Sequence, residues 1–80
     1  MKAQVSIRLR PDVLDPQGKA IGQALQALGF PNVDNVRQGK LIELDVDAAD
    51  AAAAKAAVEA MCARLLANPV IEDYEIEIQG

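Results

Sequence analysis

Apolar and polar residues alternate at the start of the chain. Ala3, Val5, Ile7 and Leu9 are separated by Gln4, Ser6, Arg8 and Arg10. A period of two predicts a half-buried strand, and Pro11, which has no N–H for a ladder, ends it. The pattern then changes. Ile21, Ala24, Leu25 and Leu28 recur at helical spacing and form one apolar stripe. Asp15 is placed to cap this helix, and Pro16 suits its first position. Gly29 can take the left-handed conformation that closes a helix, Phe30 can pack back on Leu25, and Pro31 blocks continuation.

Residues 33–46 read as extended. Two arrangements fit them. A two-residue turn at Gln38-Gly39 makes a hairpin, with Val33, Asn35, Ile42 and Leu44 on one face and Val36 and Leu41 on the other. Alternatively, this is one long strand bent at Gly39. Asp47 is expected to open a second helix, with Asp50 in its first turn near the positive end of the dipole. Residues 48–57 are rich in alanine, the best helix former. Ala51, Ala54, Val58, Met61, Cys62 and Leu65 form its predicted buried stripe, and Asn68-Pro69 stops it. Val70, Tyr74, Ile76 and Ile78 then alternate with Asp73, Glu75 and Glu77, a last half-buried strand with an acidic outer face.

The element order is βαββαβ, with the middle pair possible as one bent strand. It predicts an α+β two-layer sandwich of ferredoxin-like type, two helices on one face of an antiparallel sheet. No linker divides residues 1–80, so one domain is expected. A chain of 80 residues buries only about 60% of its unfolded surface. Small domains often recover stability from disulfides, metals or association. With one cysteine and no histidine, association is the route left.

Charge and composition narrow the function. The net charge is −4 and the aromatic residues are Phe30 and Tyr74. Such a chain repels phosphate backbones and lacks stacking platforms, so no nucleic-acid partner is expected. No apolar run reaches membrane-spanning length, and residues 1–6 lack the apolar core of a signal peptide. No membrane partner and a cytoplasmic location are expected, in keeping with a free cysteine.

Catalytic, cofactor-binding and metal-binding residues are expected to be absent. Without histidine the usual general base is missing, and Cys62 reads as a small core residue rather than a nucleophile. The glycines at 18, 22, 29 and 39 are scattered and form no phosphate loop. Gly18 and Gly22 lie inside a helix, where either a close helix or partner contact or simple local tolerance would explain them. Asp73, Glu75 and Glu77 are better read as facing Arg8 and Arg10 across strands than as metal ligands. Arg37-Gln38-Gly39-Lys40 is a basic tip that could meet a nucleotide phosphate or an acidic partner surface, or be a solvated turn.

Four stretches together resemble one family. They are Arg10-Pro11-Asp12-Val13-Leu14-Asp15-Pro16-Gln17-Gly18-Lys19-Ala20, Ala24-Leu25-Gln26-Ala27-Leu28-Gly29-Phe30, residues 33–44, and residues 61–76, which include Asn68-Pro69-Val70-Ile71-Glu72-Asp73-Tyr74. In order and spacing they are similar to the PurS subunits of phosphoribosylformylglycinamidine synthase. Residues 48–57 depart from it by their alanine content. The resemblance implies a non-catalytic assembly subunit in purine biosynthesis. It would bridge a glutaminase subunit, which releases ammonia, and a synthetase subunit, which uses ATP and Mg to convert formylglycinamide ribonucleotide. The chain itself would bind no cofactor.

Expected contact surfaces follow from residues and resemblance together. Arg37, Gly39 and Lys40 form one partner surface, and Asn68, Pro69, Glu72, Asp73 and Tyr74 another. Val36 and Leu41 form a homo-oligomer face. A different class of function also fits the fold, a ligand-sensing module of ACT-like type, whereas a metallochaperone lacks its paired cysteines.

Overall fold

The computed structural model describes residues 1–80. Strand β1 (Lys2–Leu9) is central and pairs antiparallel with β2 (Gly39–Asp45) on one side and β3 (Glu72–Gln79) on the other. Helices α1 (Pro16–Ala27) and α2 (Ala51–Met61) complete the α+β architecture, and a π-helical turn (Cys62–Leu66) extends α2. The alternation in β1 works as the period of two requires. Ala3, Val5 and Ile7 are buried on the face that α2 covers. Register carries that face across the sheet to Leu44, Ile42 and Lys40 on β2, and to Ile78, Ile76 and Tyr74 on β3. The opposite face presents Gln4, Ser6 and Arg8 with Glu43, Leu41, Asp73, Glu75 and Glu77, and no helix covers it.

The expected hairpin is not formed, and neither is the bent strand. Residues 31–38 stay outside the sheet, which therefore has three strands. Asn35 sits at φ 53°, in the left-handed region that asparagine tolerates, and this breaks the extended run. Gly39 makes no turn. It opens β2 opposite Arg8, where an added Cβ would lie 2.6 Å from the Ile7 carbonyl oxygen. Glycine is needed there for close strand approach, not for a reversal of direction.

Helix α1 begins and ends as its sequence predicts. The Asp15 side chain accepts from the Gly18 N–H at 2.9 Å, and Pro16 follows at the first helical position. Gly29, at φ 101°, closes it, with Phe30 N–H donating to the Leu25 carbonyl and Gly29 N–H to that of Gln26. These are the two bonds of a Schellman ending. Yet α1 does not pack on the sheet. Its contacts are with the return segment: the Gln26 side-chain amide donates to the Val33 carbonyl at 3.1 Å, and Val36 lies against Gly18 and Gly22.

Helix α2 starts three residues later than predicted. Asp50, not Asp47, is the cap, accepting from Ala53 N–H at 2.8 Å. Val46 is still tied to the chain start by mutual bonds with Met1, so residues 47–49 are spent crossing from sheet to helix. Ala54, Val58 and Cys62 are buried as expected. Leu65 is not: it is 83% exposed. The bond from Ala67 N–H to the Cys62 carbonyl spans five residues, so one extra residue enters the turn. Leu66 and Ala67 pack toward the core in place of Leu65.

The two glycines of α1 are not equivalent. A Cβ at Gly18 would lie 2.3 Å from the Val36 carbonyl oxygen, whereas one at Gly22 would meet only the Val36 side chain at 3.4 Å. Gly18→Ala is therefore expected to destabilise the arm by about 1–3 kcal/mol through overpacking. Gly22→Ala should be neutral or stabilise it by up to about 1 kcal/mol through helix propensity. Amide exchange along α1 reads both changes, and equal effects would contradict this account of the contact.

Candidate partner-binding surface

The two surfaces expected to be separate meet at one end of the sheet. Lys40 at the start of β2 and Glu72 at the start of β3 reach over β1 and form an ion pair at 3.7 Å. Arg10, just past β1, pairs with Asp73 at 3.6 Å and donates to the Pro69 carbonyl. Its own N–H donates to the Ile71 carbonyl at 2.8 Å. The basic and acidic groups thus answer one another within the chain. The expected facing of acidic and basic side chains across strands holds at Asp73, which is opposite Arg8 and bonded to Arg10. Glu75 and Glu77 instead face Ser6 and Gln4.

The Asn68–Tyr74 corner is tightly organised. Ile71 and Glu72 donate their N–H groups to the Asn68 carbonyl, and Val70 N–H donates to the Asn68 side-chain oxygen at 3.1 Å. Glu72 accepts from Asn68 N–H at 2.6 Å with its other carboxylate oxygen. Its side chain is therefore held on both sides. Tyr74 is half-buried on the helix-covered face beside Ile7. Val70 does not belong to β3 but stands in this turn, 78% exposed.

Arg37 is exposed, but its side chain is engaged with backbone rather than free in a basic tip. Its guanidinium donates to the carbonyls of Arg10 and Val13, each at 2.9 Å, with that of Leu9 at 3.4 Å. It fastens the loop after β1 to the return segment. Asp15 completes the same joint. One carboxylate oxygen caps α1 through Gly18, and the other accepts from Gln38 N–H at 2.7 Å. Asp15 was readable as a cap. Its second bond was not, because nothing in the spacing indicated that residues 36–38 return to the root of α1. Val36 likewise does not share a face with Leu41. It packs on α1, while Leu41 lies on the open face of the sheet.

Cys62 is fully buried. Burial pushes its thiol above the ordinary range, and the Glu59 carboxylate adds to the effect. A thiol held in its neutral form is a poor nucleophile. The Asp15 carboxyl moves the other way. Its bonds from Gly18 and Gln38 hold it below its ordinary value, and the Arg37 charge assists. No group of three or more histidine, cysteine or acidic side chains is gathered as for a metal, and no helix is long and apolar enough to cross a membrane.

Residues 2–80 match the family model described as PurS, phosphoribosylformylglycinamidine (FGAM) synthase. The phosphoribosylformylglycinamidine synthase subunit PurS of Synechocystis is 49% identical over 75 residues, covering 94% of this chain and 75% of its relative. The crystal structure of Methanocaldococcus jannaschii PurS is similar with a TM-score of 0.89 at 46% identity, covering 98% of this chain and 94% of that one. A chain in the structure of PurLQS from Thermotoga maritima has a TM-score of 0.87 at 36% identity, covering 95% and 93%.

The depressed Asp15 ionisation has a sign that can be measured. Its folded-state value lies below its unfolded one, so folding favours the carboxylate. That contribution is complete above the ordinary carboxylate range and is lost as pH falls through the folded value. Amide protection in α1 is expected to weaken on acidification through this window. In Asp15→Asn, which retains a capping oxygen but no titrating group, that step should be absent. A wild-type arm whose protection is flat down to the lowest pH would contradict the joint described above.

Proposed function

The chain belongs to the PurS family of phosphoribosylformylglycinamidine synthase, and from that premise we propose that it is a non-catalytic assembly subunit of that ligase. Within the complex it bridges the glutaminase and synthetase subunits and assists ammonia transfer between them. ATP and Mg are used by the synthetase partner, not by this chain. The observation that carries the non-catalytic part is the state of Cys62. The sole thiol is sealed in the core with its ionisation suppressed. A glutaminase needs an exposed, activated nucleophile, and nothing else here resembles one.

The bridging part is supported by the charged end of the sheet. Its ion pairs are partly exposed, and pairs of this kind contribute about 0.2–1 kcal/mol to folding. The fold does not depend strongly on them, so they are available to a partner of complementary charge. The Asn68 turn, the Pro69 carbonyl and Gly39 position these groups, while Arg37 acts behind them on the backbone. The ligand-sensing alternative is set aside, since the family match spans residues 2–80.

Two measurements test this reading. Lys40→Glu and Asp73→Lys should each cost the isolated chain only about 1 kcal/mol, the scale of one partly exposed ion pair, and leave it folded. In the reconstituted complex they should weaken assembly and lower glutamine-dependent synthesis more than ammonia-dependent synthesis. Wild-type assembly and rates in both variants would remove this end of the sheet from the bridge. The chain is also expected to associate with itself. Sedimentation of a monomer alone at micromolar concentration would overturn that part.

A further inference from the structure

Two arginines at the charged end of the sheet have no acidic partner. Arg10 is paired with Asp73, and Lys40 with Glu72. Arg8 makes neither an ion pair nor a side-chain hydrogen bond. It stands between Gly39 on β2 and Asp73 on β3. Asp73 is taken by Arg10, and the Arg8 stem passes over Gly39, where an added Cβ would lie 2.7 Å from its Cγ. Arg37 is the second. Its Nη2 is fixed by the Arg10 and Val13 carbonyls, whereas its Nε and Nη1 have no acceptor within the chain.

Both arginines line one cavity of about 410 Å³, together with Leu9, Pro11, Asn35 and Asp73. The backbone carbonyls hold the Arg37 guanidinium in place, so its free N–H groups are oriented before any ligand arrives. A guanidinium fork fits a carboxylate or a phosphate. Charge decides between them. With Asp73 neutralised by Arg10, the lining carries the charges of Arg8 and Arg37. These match a phosphate monoester, which carries about −1.5 to −2, whereas a carboxylate would leave one arginine unanswered. Size agrees, since small-ligand pockets span about 300–1,000 Å³ and this one has room beyond the phosphate. Leu9, Pro11 and Asn35 offer the rest of such a ligand an apolar wall and one amide. The net charge of −4 opposes a polyanion, but distant acids are screened over about 8–10 Å.

We propose that Arg8 and Arg37 form a binding site for the phosphate of a small phosphate monoester, with Leu9, Pro11 and Asn35 against the carbon skeleton it carries. The site goes beyond the assembly reading and does not depend on it. The chain can join two subunits with this cavity empty, and can hold the ester without them.

The test is a chemical-shift titration of the isotope-labelled full-length chain with ribose 5-phosphate, followed at backbone amides and arginine Nε–H groups. Saturable shifts at Arg8, Asn35 and Arg37 are expected, and unphosphorylated ribose should produce none. Glutamate, the carboxylate control, should bind more weakly; equal affinity would overturn the phosphate assignment. Inorganic phosphate should also bind more weakly, and equal affinity would overturn the role given to Leu9, Pro11 and Asn35. Arg8→Gln changes an exposed side chain, so the chain should melt as wild type does. Its affinity for ribose 5-phosphate should fall by about tenfold or more, the scale of one charge-assisted hydrogen bond. Arg64→Gln removes the same charge outside this cavity and should bind as wild type; an equal loss there would reduce the effect to general charge attraction and overturn the site. Shifts that never saturate, or unchanged affinity in Arg8→Gln, would overturn it as well.

Discussion

One buried carboxylate sets the shape of this molecule. Asp15 accepts from the first turn of α1 with one oxygen and from Gln38, next to the start of β2, with the other. It thereby ties the beginning and the end of a long excursion to a single point. Gly18 lets the backbone of Val36 come close enough for this to happen, and Arg37 fastens the far side by taking carbonyls of the loop after β1. The direction of α1 follows from that joint. So does the division of the molecule into a sheet with one helix of its own and an arm that leads away from it.

The core that remains is thin. Its buried apolar residues are Ala3, Val5, Ile7, Val46, Ala54, Val58, Cys62 and Ala67. Three of these are alanines. Small side chains bring α2 close to β1, but each removes little apolar area from water, and the return is about 25 cal/mol per Å². The larger apolar residues Ile21, Leu28, Phe30, Leu41 and Leu65 are on the surface. A chain that leaves its bulkiest apolar groups outside a core of alanine and valine is built for burial against something else.

What could be read from the sequence was the local chemistry. The alternation in β1, the Asp15-Pro16 start of α1, its Gly29 ending and the Ala54-Val58-Cys62 stripe each follow from residues within a few positions of one another. The place of β3 beside β1 was legible as well, from the ferredoxin-like order, although only Asp73 of its acids stands opposite an arginine. The failures were all matters of longer range or of a single inserted residue. Gln38-Gly39 carries a turn-like composition, but Gly39 answers to the Ile7 carbonyl on another strand, and Asn35 had already bent the chain. Asp47 and Asp50 are equivalent as caps by type, and the choice between them is made by how far the Met1–Val46 bonds extend the sheet. Leu65 fits a 3.6-residue period, which the π turn interrupts. The joint was invisible for the same reason: Arg37 and Asp15 are far apart in sequence, and their charges alone do not say that each is directed at backbone.

The corner at Asn68–Tyr74 shows why constraint in a loop has to be divided between fold and function. Asn68, Glu72 and Arg10 each have local duties there, in capping the turn, holding Lys40 and fixing the Pro69 carbonyl. The fold accounts for those side chains without invoking a partner. It does not account for Leu65 and Val70, which stand exposed at the π turn and at the corner it leads into. The local hydrogen bonds would form equally well with polar residues in their place. Exposed apolar side chains of this size have the composition of a protein contact, in which an apolar centre supplies affinity and a polar rim supplies register. In the proposed bridging role, the ion pairs at the end of the sheet would act as orienting groups, and the exposed Leu65 and Val70 would supply area to leave water.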